Sequence, residues 1–296
     1  MPFLKKSLLA ASLIAAVVFI NHYFDIDDKL LYAYQEKSVP ESVQRASVWL
    51  PDYVVDRDAV ALKGVNYNLS GITYNPDSDS LWVIINQPAK LIELDQELQP
   101  KRTITLENFQ DTEAVAYAGN NRFVIADERI QSLVIATIND STQSLNKDDL
   151  AQLTLNTEGE DNKGLEGVAI NLEEQSIYAV RERDPMAFLE VHGLLTQSNN
   201  IRVDKKPGSP LNKLYWTDLS GLHFDADSGN VLLLSHEAKL LSTLTLDGEK
   251  ISHMDLEKGF NGLQADIPQA EGVTLDGQKN LYIVSEPNLI YRFKRR

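Results

Sequence analysis

From residue 47 onward one short pattern recurs five times, and it constrains the fold more than any other feature of the chain. Each copy reads Ser or Glu, then Gly or Ala, then Ile, Val or Leu. A turn follows a few residues on. After it comes an apolar run, usually with an aromatic near its start, that ends in a polar or acidic residue. The copies are Ser70-Gly71-Ile72 with LWVIIN to Asn86; Glu113-Ala114-Val115 with RFVIAD to Asp127; Glu166-Gly167-Val168 with IYAVRE to Glu182; Ser220-Gly221-Leu222 with VLLLSHE to Glu237; and Glu271-Gly272-Val273 with LYIVSE to Glu286. Their starts lie 43, 53, 54 and 51 residues apart. Repeats of about 40–50 residues built from short strands have the length of a four-stranded propeller blade.

Local chemistry supports strands. The paired runs are rich in Val, Ile, Tyr and Leu, and turn clusters such as Asn75-Pro76-Asp77 and Asp276-Gly277-Gln278 separate them. Third strands are expected at 90–95, 132–138 and 240–247, and fourth strands at 102–106, 151–155 and 250–256; the third copy has no clear fourth strand. The fifth copy ends after its third strand at 288–293. The segment 47–62 belongs to no complete copy and can supply the missing strand, closing the ring. The expectation is therefore an all-β fold, a β-propeller of five four-stranded blades over residues 47–296. A sixth, degenerate blade in 139–163 or 193–215 is the alternative.

Ahead of the repeats stands an address. Lys5 and Lys6 precede an apolar run, and Leu4 to Phe24 is just long enough to span a membrane as an uncleaved signal anchor. No small-residue cleavage site follows, which disfavours a cleaved signal peptide. With the lysines inside, everything after residue 24 faces the outside, so the expected location is a bacterial inner membrane with the domain in the periplasm. Residues 25–46 read as a polar tether, partly helical. The formal charge of −15 becomes −17 for the exported part once the two lysines are set aside. Such acidity argues against nucleic-acid partners. The lack of cysteine excludes disulfides, Cys-zinc sites and a catalytic thiol. A monomer is expected, with a small-molecule or protein ligand left open.

The anchor, the five motifs and the LYIVSE-type strands together resemble the YjiK or SdiA-regulated family of bacterial envelope proteins, and are similar to the esterase-like phytase propellers, which share Glu-Gly-[Ile/Val] strand starts. The resemblance spans nearly the whole exported chain. It implies a propeller in the envelope, and it points to a calcium site without assigning chemistry.

In a blade the start of the first strand and the end of the second share one rim. This brings Ser70, Glu113, Glu166, Ser220 and Glu271 together with Asn86, Asp127, Glu182, Glu237 and Glu286 around one mouth, with Glu128 able to replace Asp127. At ~4 Å and an effective dielectric of ~20, one like-charged pair costs about 4 kcal/mol. Relief comes from protonation, from pairing with Arg129, Arg181 or Arg183, or from a hard cation, for which oxygen-only ligands suit Ca2+ above Mg2+ or Mn2+. The metal set expected is Glu113, Glu166, Glu271, Asp127, Glu182, Glu237, Glu286 and Asn86. Against it stands a structural role, in which the first-strand glutamates accept backbone N–H bonds from neighbouring blades. The function expected is a membrane-tethered, cation-binding module for a ligand or partner; the alternative is a metal-dependent phosphoesterase or lactonase with Glu182 or Glu286 as base. Asp77–Asp79 and Asp225–Asn230 carry calcium-loop fragments but read as plain turns, since the twelfth position from Asp225 is His236. His236 is a proton shuttle at the mouth or a surface-loop residue. No catalytic residue is assigned.

Overall fold

Alternate residues of a strand face opposite sides of its sheet, and here both sides are buried. In the run 80–85, Leu81, Val83 and Ile85 enter one apolar cluster while Trp82 and Ile84 enter another. A sheet covered on both faces must be sandwiched between two others, and five such sheets can close only as a ring. The computed structural model describes residues 32, 34–155, 164–205, 211 and 216–296 and shows that ring.

The chain enters through α1 (Glu41–Ala46) and β1 (Tyr53–Ala61). Blade I follows as β2 (Leu69–Asn75), β3 (Ser80–Ile85), β4 (Lys90–Leu94) and β5 (Pro100–Glu107). Blade II holds β6 (Thr112–Tyr117), β7 (Arg122–Asp127) and β8 (Ser132–Thr137); the chain then adds the short β9 (Ser144–Asn146) parallel to β5 before β10 (Ala151–Thr154) completes the blade. Blade III is β11 (Leu165–Asn171), β12 (Ser176–Arg181), β13 (Ala187–His192) and β14 (Arg202–Lys205). Blade IV is β15 (Gly221–Asp225), β16 (Asn230–Ser235), β17 (Leu240–Thr245) and β18 (Lys250–Asp255). Blade V joins β19 (Gln269–Leu275), β20 (Leu281–Glu286) and β21 (Leu289–Arg295) to β1, with Tyr53 opposite Arg295 and Ala61 opposite Leu289. The N-terminal strand therefore closes the ring, as its sequence position requires.

The two irregular stretches make no sixth blade among the described residues. The first lays β9 on the outer edge of blade I, giving that sheet a fifth strand and covering an open edge. The second supplies β14, the fourth strand that the sequence of the third copy does not announce. The membrane anchor expected at residues 1–24 and the acidic loop at 158–161 lie outside the described residues. Among the described residues no helix is long and apolar enough to cross a membrane. The tether expected at 25–46 is docked where it is described. Tyr32 is buried against His253 of β18, and Glu36 accepts a 2.7 Å hydrogen bond from the His253 amide.

Five apolar clusters fill the five blade interfaces. At the centre the first strands β2, β6, β11, β15 and β19 contact one another in a closed cycle. The small residue of each motif makes that approach possible. A Cβ on Gly167 would fall 2.8 Å from the Leu222 amide nitrogen, and one on Gly272 would fall 2.9 Å from the Gly71 Cα. Both clashes are with backbone, which cannot swing aside. Gly272→Ala is expected to cost about 1–3 kcal/mol through overpacking, read as a lower urea midpoint at unchanged slope. An unchanged midpoint would show slack at the axis.

Candidate metal centre

The residue before that glycine or alanine is where the acids sit, and its backbone is irregular. The pairing register slips between Leu69 and Gly71, Thr112 and Ala114, Leu165 and Gly167, and Ala270 and Gly272. Ser70, Glu113, Glu166 and Glu271 are thus the extra residues of β-bulges repeated in four blades. A bulge releases its residue from the strict alternation of the strand and re-aims the side chain. Glu113, Glu166 and Glu271 accordingly line one cavity of about 310 Å³ at a mouth of the channel, with Glu128, Glu182, Arg183, Ser220, His236, Gln269 and Glu286; the bulged Ser70 is not in this lining.

Not every expected residue reaches it. Asp127 is fully buried beside the mouth, where its carboxylate meets Lys147 Nζ at 2.5 Å and accepts the amides of Gln110 and Asp111 at 3.1 Å each. Glu128 takes its place in the lining. It can do so because blade III has glycine opposite: a Cβ on Gly164 would lie 2.7 Å from Glu128, whose Oε1 instead accepts the Gly164 amide at 2.9 Å. Glu237 is outside the lining, held by Arg183 Nη1 at 2.7 Å and by the Thr217 hydroxyl. Asn86 is one layer back and organises neighbours, donating to Asp111 Oδ1 at 2.6 Å and Glu113 Oε1 at 2.7 Å. Arg183 also pairs with Glu182, and Arg129 with Asp111 at 3.2 Å.

Among the described residues none of the first-strand glutamates accepts a backbone amide from a neighbouring blade, as the alternative expected; the Gly164 amide goes to Glu128, and hydroxyls that donate to carbonyls add further ties between blades. Thr112 donates to the Ile85 carbonyl at 3.1 Å and Ser220 to the Ala270 carbonyl at 2.6 Å, each crossing to a neighbouring blade. Glu166 makes no hydrogen bond or ion pair among the described residues.

Electrostatics follow from this crowding. Burial lifts the Glu113 carboxyl to about 8, opposed by hydrogen bonds from Asn86 and Ser70 and reinforced by the charges of Asp111 and Glu128. Burial, then the charges of Glu113, Glu128, Glu271 and Glu182, hold Glu166 well above the carboxylate range. Glu271 is raised the same way, against a hydrogen bond from Gln269. Burial also raises Glu128 and Glu286.

The sequence reading missed a third recurring position, two residues before the bulge: Asn68, Asp111, Gly164, Asp218 and Gln269. Its identities vary, so only spacing could have revealed it. Asp218 is fully buried, 3.0 Å from His236 Nδ1. The adjacent Asp218 carboxylate raises the imidazole, and His236, on the cavity wall, is no plain surface-loop residue. The calcium-loop fragments are turns, as read: Asp225 joins Lys279 at 2.5 Å and Ser228 at 2.6 Å.

The donors fit a hard divalent cation. Asp111, Glu113 and Glu128 can each offer an oxygen, all within 4.8 Å of one another, and Glu128, Glu166 and Glu182 can do the same. All are oxygens, the donor type of Ca2+ and Mg2+.

Residues 45–294 match the family described as SdiA-regulated. The fold is similar to regucalcin, a calcium-binding protein from Agrobacterium tumefaciens str. C58, at 13% identity over 80% of this chain and 95% of that one, with a TM-score of 0.50. It is also similar to a luciferin-regenerating enzyme (12% identity, 82% and 95% covered, TM-score 0.48). A third similar structure is a catalytically inactive virginiamycin B lyase from Staphylococcus aureus (11%, 82% and 74%, TM-score 0.45). At such identities the likeness is one of fold alone.

Proposed function

The chain belongs to the SdiA-regulated family, and on that premise we propose that its propeller is a divalent-cation-binding module, with Ca2+ as the physiological ion and the mouth as the docking point for a ligand or partner. One observation carries this reading. Glu166 is enclosed by protein except where it faces a cavity shared with five other acids, and it has no partner among the described residues. A chain that gathers carboxylates at such cost, by repeated bulges, gains stability when a cation enters. The regucalcin that shares the fold is a calcium-binding protein; in this chain the case rests on its own carboxylates. Calorimetric titration of Ca2+ into the purified chain tests it. Glu166→Gln should lower the number of Ca2+ bound or weaken their binding at least tenfold at unchanged fold; unchanged stoichiometry and affinity would overturn the reading.

The lysine pair and apolar run of residues 4–24 support tethering to the inner membrane with the propeller in the periplasm. The full chain should resist alkaline extraction from membranes, and a chain lacking residues 1–24 should not.

A second reading, a metal-dependent hydrolase of phosphoesters or lactones, is favoured by the Asp218–His236 pair. Asp218 orients the ring from behind while the imidazole borders the cation cavity, where it can take a proton from water. Turnover of a phosphomonoester or lactone, lost in His236→Gln with Ca2+ affinity retained, would establish it. No turnover in either protein leaves the binding module.

A further inference from the structure

The two carboxylate triplets are not separate. Asp111, Glu113 and Glu128 form one, Glu128, Glu166 and Glu182 the other, and Glu128 is common to both. We propose, resting on the cation reading above, that the mouth is a dinuclear centre in which two divalent cations are bridged by the Glu128 carboxylate.

Three features converge on this. Glu128 sits at the junction of blades II and III, fixed by the 2.9 Å bond from the Gly164 amide to one of its oxygens. A carboxylate has about four lone-pair directions, so this bond leaves capacity on both oxygens for a bridge. Secondly, the charge calls for more than one ion. Asp111 and the six acids of the cavity wall face two arginines, Arg129 and Arg183, that pair with them. With these carboxyls ionised, as cation binding requires, one divalent cation leaves that ensemble strongly negative, whereas two remove most of its charge. Thirdly, a single ion beside Glu113, Asp111 and Glu128 would leave Glu166, enclosed and without a hydrogen-bond partner among the described residues, still uncompensated. A second ion would compensate Glu166. Two cations bridged by one carboxylate typically lie about 3.5–4 Å apart and clamp an oxyanion or a water between them. The ligand class of the mouth is accordingly a small phosphate- or carboxylate-bearing molecule.

The test uses the full chain loaded with Mn2+ as probe, with bound metal counted by equilibrium dialysis and spin coupling read by electron paramagnetic resonance. Two Mn2+ per chain with an exchange-coupled spectrum are expected. Glu166→Gln should retain one ion and lose the coupling. Asp111→Asn should do likewise from the other side. Glu128→Gln should weaken both ions at least tenfold. Circular dichroism checks each fold, and Gly164→Ala, which displaces Glu128 without touching a ligand, should also abolish the coupling. One tightly bound, uncoupled ion in the wild type overturns the dinuclear centre and leaves the cation reading intact. No bound ion overturns both.

Discussion

Replacing Lys147 with Met destabilises the propeller by about 3–5 kcal/mol, the cost of leaving a buried charge without its partner. Asp127 is fully buried, and the side chain of Lys147 is only 4% exposed. Water cannot reach in to solvate the carboxylate once the ammonium is gone. The two backbone amides that Asp127 accepts satisfy hydrogen bonding but not charge. In a domain of this size each kilocalorie lowers the melting temperature by roughly 2–4 °C, so a drop of about 10 °C is expected. The double variant Asp127→Asn/Lys147→Met should recover most of it, because a neutral amide keeps the hydrogen-bonding shape without the charge. Thermal melts of the three proteins check this. Equal melting of wild type and Lys147→Met would mean that the pair is solvated, and Asp127 would return to the roster of candidate ligands.

The mouth carboxylates give stability an unusual pH dependence. Glu113 is raised to about 8, with Glu166 and Glu271 also well above the carboxylate range, chiefly by burial. A carboxyl whose folded pKa exceeds its unfolded value favours folding while it is protonated. That contribution is full below about pH 4.3, the unfolded glutamate value, and is lost as pH climbs through the folded pKa. With metal chelated, the melting temperature should therefore fall steadily between about pH 5 and pH 9, by ~10 °C or more. Cations compete with those protons, so the gain on adding Ca2+ should be small at pH 5 and large at pH 8. Melts across this range with chelator and with Ca2+ measure both slopes. A Ca2+ increment independent of pH would place the ion away from these groups.

Much of the fold is legible in the sequence because each propeller strand is buried on both faces and returns at a fixed spacing. The closing role of β1 follows from counting strands in the last copy. The fourth strand of blade III and the added β9 are not legible: both are short outer strands, more exposed and weakly patterned. At the site the bulged first-strand acids are legible from repetition alone. The choice between Asp127 and Glu128 is not, since a slip of one residue at a strand end sends a side chain to the other face. What decides it is the backbone of Gly164 in the next blade and Lys147 behind Asp127, both far away in sequence. The position two before the bulge escapes notice because Asn, Asp, Gly and Gln fill it with different chemistry.

Crystals of the chain grown with Mn2+ would interrogate the mouth directly through an anomalous difference map. Density is predicted inside the cavity, within coordination distance of Glu128 and Glu166. A map whose peaks lie only on outer turns, such as Asp77–Asp79, with nothing among the bulged glutamates, would contradict the proposed role of the ring.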